Sequence, residues 1–190
     1  MFAEVLRKHL AGLEIELSTR QIKQLGEHFR LLSRWNKVLN LTRIGDLDEA
    51  IQRHYCESLF LGAHLPPKAL KIVDLGSGAG FPGVPLAVLR PDCQVTLVES
   101  HLRKSAFLRE ATRKLENVRV ISVRAEELAE FFDWAISRAV RYEEIKGCLI
   151  NLAPNMALLA GEENPDERFT WNKIKLPWGQ HRFLWLRGST

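Results

Sequence analysis

Apolar residues in the first third of the chain recur at helical spacing. Phe2, Val5, Leu6, Leu10 and Leu13 share one face, and Ile22, Leu25, Phe29 and Leu32 share another. Ser18 followed by Gln21 forms a capping box, so the second helix begins there. Asp46 with Glu49 opens a third helix carrying Leu47, Ile51, Tyr55 and Ser58. Pro66-Pro67 closes the section. From Leu70 the period changes. Strands are predicted at Leu70–Leu75, Val95–Glu99, Val118–Val123, Trp134–Arg138 and Met156–Leu159. Helices are predicted at Gly83–Leu89, Leu102–Glu116 and Tyr142–Leu152, the second with Ala106, Leu108, Ala111 and Leu115 inward. Apolar strands alternating with helices predict a parallel sheet covered on both faces, an α/β fold. Ile174–Leu176 and Arg182–Arg187 flank Pro177-Trp178-Gly179 and predict a closing antiparallel hairpin. Residues 1–66 read as a helical extension packed on a core of residues 67–190, the two forming one globular unit. The polar stretch Gly161–Glu167 reads as a mobile loop.

Composition adds bounds. The chain has 190 residues, 46% hydrophobic and 26% charged, ordinary for a globular protein. No apolar run is long enough to span a bilayer. The amphipathic N-terminus carries Glu4 and makes a poor secretory signal. Cys56, Cys93 and Cys148 lie too far apart for metal-ligand spacing and read as small core residues in a reducing, cytoplasmic setting. A monomer with no metal site is expected. Net charge is +4 with pI about 9.1, compatible with nucleic acid without being diagnostic. Arg103, Lys104, Arg109, Arg113, Lys114, Arg119 and Arg124 crowd one stretch, which a solvated helix face would also explain.

The candidate chemistry starts where the first strand runs into Asp74-Leu75-Gly76-Ser77-Gly78-Ala79-Gly80-Phe81-Pro82-Gly83. Glycines there let a nucleotide-like ligand approach the backbone. A dinucleotide fingerprint reads G-x-G-x-x-G, whereas Gly76, Gly78 and Gly80 run G-x-G-x-G. The second strand ends at Glu99, placed to accept hydrogen bonds from ribose hydroxyls. Asp74 suits a ligand with a cationic amino group, which S-adenosylmethionine has and NAD lacks. Asp74 also suits capping of the turn's own amides, and the two roles can coexist. A parallel sheet ending in a hairpin fits the class I S-adenosylmethionine-dependent methyltransferase variant of the Rossmann-like doubly wound fold.

Several segments resemble one family. They are Arg34-Trp35-Asn36-Lys37-Val38-Leu39-Asn40-Leu41-Thr42, Arg53-His54 with Ser58, the Asp74–Gly83 turn, Arg103-Lys104 with Phe107-Leu108, Arg124-Ala125-Glu126-Glu127, and Ile136-Ser137-Arg138-Ala139. Together, from about residue 15 to residue 160, they resemble the RsmG (GidB) family of bacterial methyltransferases acting on N7 of a guanine in 16S ribosomal RNA. The resemblance implies cofactor contacts from Gly76, Phe81, Ala125, Glu126 and Arg138. It also implies 16S RNA or the small ribosomal subunit as partner. Where the family has a Lys-Gly pair after the fifth strand, this chain has Ala160-Gly161.

The residues carry their own readings beside this one. Arg138 ends an apolar strand, where a guanidinium needs a partner. A cofactor carboxylate or an RNA phosphate would serve, as would an ion pair within the protein. It is the candidate catalytic residue as well as a cofactor ligand. Glu126 and Glu127 would equally open a helix. Phe81 lines a pocket or fills core. Asn36, Asn40, Arg53, His54, Arg103 and Lys104 are the candidate RNA contacts. Methyl transfer to N7 needs no prior deprotonation, so alignment and electrostatics carry it. An NAD-binding oxidoreductase and a non-catalytic RNA-binding module on the same fold stand as alternatives.

Overall fold

A computed structural model describes residues 1–43 and 46–188. Among these residues seven strands make one sheet: β1 (Lys71–Leu75), β2 (Gln94–Val98), β3 (Val118–Ile121), β4 (Trp134–Arg138), β5 (Asn155–Ala160), β6 (Asn172–Lys175) and β7 (Phe183–Arg187). Their order is β3-β2-β1-β4-β5-β7-β6. The first five run parallel. The hairpin exists as expected, but its second strand, β7, inserts antiparallel against β5 and leaves β6 at the edge. The strand order reverses between β1 and β4, so a crevice opens at their carboxyl ends. The edge strands β3 and β6 carry Arg119, Lys173 and Lys175, charges that discourage further strand pairing.

The helices are α1 (Phe2–Leu10), α2 (Thr19–Leu39), α3 (Leu47–Ala50), α4 (Glu57–Ala63), α5 (Gly83–Leu89), α6 (Leu102–Thr112) and α7 (Tyr142–Leu152). The capping box forms: Gln21 N–H donates to Ser18 Oγ at 3.3 Å, and Ser18 N–H donates to Gln21 Oε1 at 2.8 Å. Two expectations change. Between α3 and α4 the chain winds as a π-helix over Ile51–Cys56, and this turns His54, Tyr55, Cys56 and Glu57 inward together. In α6 the buried residues are Ser105, Phe107, Leu108 and Thr112, while Ala106 is exposed. The bulkier Phe107 takes the inward position, because its ring removes more apolar area from water than an alanine methyl.

Two apolar layers sandwich the sheet. Leu6, Leu25, Leu59, Leu86 and Phe107 pack with Ile72 and Trp134 on one face, so the N-terminal helices share a core with the strands. Ile145 and Leu149 of α7 cover Val73, Leu75, Ala135 and Met156 on the other. Among the described residues no helix is long and apolar enough to cross a membrane.

Candidate functional site

The turn after β1 is built from its own backbone. Gly76, Gly78 and Gly80 have φ of 73°, 56° and 90°, a region costly for other residues. Gly76 and Ser77 N–H both donate to the Val98 carbonyl, at 3.0 and 3.1 Å. Gly80 and Phe81 N–H donate to the Ser77 carbonyl, at 2.7 and 3.1 Å. The turn is thereby tied to β2 and folded back on itself.

Two carboxylates frame it. Glu99, just past β2, accepts from Gly78 N–H at 3.0 Å and from His101 N–H at 2.8 Å. Asp74 is fully buried, and its Oδ2 accepts from Gly83 N–H at 2.9 Å. Its Oδ1 is buried with no hydrogen-bond donor among the described residues. Burial pushes the Asp74 carboxyl up to about 7. A buried acceptor of this kind calls for a donor, and a cationic donor would restore its ionised form.

Phe81 fills core. It is 5% exposed, with the His54 ring stacked on it at 4.6 Å and the His28 and Tyr55 rings edge-on at 5.3 and 5.1 Å. The Arg138 guanidinium lies 5.5 Å from its ring centre. Arg138 donates to the Arg53 carbonyl and to His54 Nδ1, and stands 3.9 Å from Glu57. A partner within the protein is therefore present, as one reading of this residue required. The next residue, Ala139, has φ of 58°, an uncommon backbone for a non-glycine residue, where the chain leaves β4 for the crevice.

The expected RNA contacts separate in space. His54, one of these candidates, is 4% exposed and turned into the protein: Nε2 lies 2.8 Å from Thr42 Oγ1. Asn36 clamps Thr42, donating to its carbonyl at 2.9 Å and accepting from its N–H at 2.8 Å. Asn40 ends α2 in the left-handed region, φ 48°, where asparagine is tolerated. Arg53 is exposed and pairs with Glu49 at 3.2 Å. Arg103 is exposed and Lys104 half-buried in the first turn of α6, beside the crevice. Ala125 and Glu126 lie in a short 3-10 turn, Ala125–Glu127. Glu127 caps it by accepting from Arg124 N–H at 3.2 Å, and both Glu126 and Glu127 are exposed.

Beyond β4 and β5 lies a cavity of about 720 Å³, its walls including Ser137, Val140, Tyr142, Leu158, Ala160 and His181. It adjoins the glycine turn, since a Cβ on Gly76 would stand 2.7 Å from Val140 Cγ2.

Residues 21–167 match the family model GidB, described as rRNA small subunit methyltransferase G. The chain belongs to the GidB family. A Ribosomal RNA small subunit methyltransferase G from Halorhodospira halophila is 41% identical over 170 residues, covering 85% of this chain and 80% of that protein. One from Dichelobacter nodosus is 44% identical over 126 residues, covering 65% of this chain but only 59% of that protein. Of several such relatives, the Dichelobacter nodosus protein among them, the chain spans less than two thirds of the length. The fold is shared more widely. A SAM dependent methyltransferase from Aquifex aeolicus superposes with a TM-score of 0.58 at 14% identity, covering 77% of this chain and 95% of the other. A methyltransferase from Pyrococcus furiosus gives 0.57 at 14% identity, covering 86% and 96%. The class I methyltransferase architecture expected from the strand pattern is therefore present in this GidB member.

Sequence reasoning missed His28, Tyr55 and Glu57. His28 Nδ1 lies 2.8 Å from the Tyr55 hydroxyl and Nε2 3.1 Å from the Ala79 carbonyl, so α2 props the glycine turn. The available signal was a polar residue inside an apolar stripe, three after Leu25 and four before Leu32.

These buried groups predict a pH dependence. Burial pushes His28 down to about 4, and burial with the Arg138 charge pushes His54 down to about 3, from an ordinary 6.5. Between pH 6.5 and 4 the unfolded chain binds both imidazole protons and the folded chain binds neither. Asp74 works oppositely, because the folded form keeps its proton up to about 7 and the unfolded form loses it above 3.8. Two against one leaves the unfolded state with about one extra proton. Stability should therefore fall by about 1.4 kcal/mol per pH unit as pH drops from 6 to 5. In a His28→Gln variant the opposing terms cancel and the slope should flatten. Urea midpoints at both pH values measure it; equal wild-type stabilities would contradict the assignment.

Proposed function

We propose that this chain is an S-adenosylmethionine-dependent methyltransferase, acting in the cytoplasm, that modifies N7 of a guanine in 16S ribosomal RNA. The observation that carries the reading is the orphaned Oδ1 of Asp74 at the foot of the glycine turn, in a GidB family chain. The cofactor's ammonium is a donor of suitable charge for that oxygen, and NAD has no equivalent group. Gly76, Gly78 and Gly80 let the ligand lie against the backbone. Glu99 retains acceptor capacity for ribose hydroxyls, since each carboxylate oxygen can accept a second hydrogen bond. Ala125 and Glu126 are assigned to the adenine edge, and Arg138 to the carboxylate.

When bound, S-adenosylmethionine supplies an electrophilic methyl carbon on a positively charged sulfur. Guanine N7 carries a free lone pair, so the chain need not remove a proton. Its work is alignment, bringing the acceptor base within reach along the carbon–sulfur axis. The cavity beyond β4 and β5 is the place for that base, with Tyr142 in its wall. Asp74 and Glu99 supply negative charge near the cationic donor. Ala160, where the resemblance expects lysine, lines the same cavity and removes one phosphate-binding charge from its wall.

The test offers methyl-labelled cofactor with bacterial small subunits and with their free RNA. Label should transfer to one of these, and borohydride–aniline cleavage should map it to N7 of a guanine. Cofactor binding without transfer to either substrate would leave a non-catalytic RNA-binding module instead.

A further inference from the structure

Glu57 opens α4 and is 2% exposed, an acid buried between Cys56 and Ser58. Its two oxygens accept from Arg182, Nε at 2.7 Å and Nη2 at 2.5 Å. One of those oxygens also lies 3.9 Å from Arg138 Nη1. Arg182 comes from the connection into β7, Arg138 from the end of β4, and Glu57 from the N-terminal helices. Three separate parts of the chain thus meet at one carboxylate.

Around it the charges are unbalanced without Glu57. Arg138 and Arg182 face the same carboxylate, and in its absence they would repel one another in a poorly hydrated place. Arg138 is held on its other side by the Arg53 carbonyl and by His54 Nδ1. To accept there, His54 must be neutral with its proton on Nε2, donating toward Thr42 Oγ1. Arg138 is thereby fixed at two points with further N–H donors to spare, since a guanidinium has five.

We infer that Glu57 is a positioning residue: it holds the Arg138 guanidinium at the crevice so that it can bind the amino-acid carboxylate of the cofactor. This rests on the cofactor reading given above. A small carboxylate fits better than an RNA phosphate, because the Arg138 side chain is only 12% exposed and lies against Phe81 beneath the glycine turn.

Two ligands test it. S-adenosylhomocysteine has the amino-acid end, and 5′-methylthioadenosine lacks it while sharing the adenosine. In Glu57→Gln the affinity for S-adenosylhomocysteine should fall at least tenfold, and that for 5′-methylthioadenosine should change less than twofold. Glu57→Asp, which keeps the charge, should recover part of the loss and serves if the glutamine variant does not fold. Equal weakening of both ligands would mean that Glu57 only stabilises the fold, and unchanged binding of both would also overturn the inference. Should the wild type bind neither ligand, the cofactor reading itself falls, and the inference with it.

Discussion

Arg138→Ala is expected to weaken S-adenosylmethionine binding by roughly 100- to 1000-fold. The magnitude follows from two charge-assisted hydrogen bonds at about 1.5–3 kcal/mol each, partly offset by water entering the vacated space. Arg138→Lys should restore only a fraction, because a single ammonium cannot reproduce a planar fork. The fold should survive the alanine change, since Glu57 keeps its two bonds to Arg182. Titration calorimetry on the folded variant measures the effect. A loss under fivefold would show that Arg138 belongs to the internal network alone.

The second large effect is on stability. Gly83 begins α5 directly under the turn, and a Cβ there would stand 2.3 Å from Leu97 Cδ2 and 2.6 Å from Asp74 Oδ2. Both neighbours are fully buried, so neither can swing aside into solvent. Gly83→Ala should therefore cost about 3 kcal/mol through overpacking, the upper part of the usual range. It should also weaken cofactor binding, because Asp74 Oδ2 accepts from the Gly83 N–H and would be displaced. Urea unfolding reads the first effect, and a loss below 1 kcal/mol would mean the β1–α5 junction is looser than its contacts indicate.

Much of the site was legible because its parts are local. Gly76, Gly78 and Gly80 adopt positive φ, as a glycine turn after a strand requires. Asp74 and Glu99 both border that turn because they lie at the carboxyl ends of neighbouring parallel strands. Of the two acids after Ala125, Glu127 caps the short turn, and both side chains are exposed. The helix faces read from apolar spacing are buried at Leu6, Leu25, Leu32, Ile51 and Leu108, but some single positions turn otherwise. Arg53 and His54 were named together as candidate RNA contacts, and the π-helical turn sends His54 inward and Arg53 out. On α6, Ala106 was expected inward and is exposed, while its neighbour Phe107 takes the buried position.

The amino-acid sequence by itself determined the alternation of strands and helices, the glycine turn and the family, because apolar period, backbone permissiveness and short motifs are written in neighbouring residues. Tertiary structure alone decided that β7 slots between β5 and β6, that His28 props the turn, and that Glu57 meets Arg138 and Arg182. Glu57 and Arg182 are 125 positions apart. Their pairing leaves no local pattern, since an ion pair is selected by burial and charge balance, which exist only once the layers have closed.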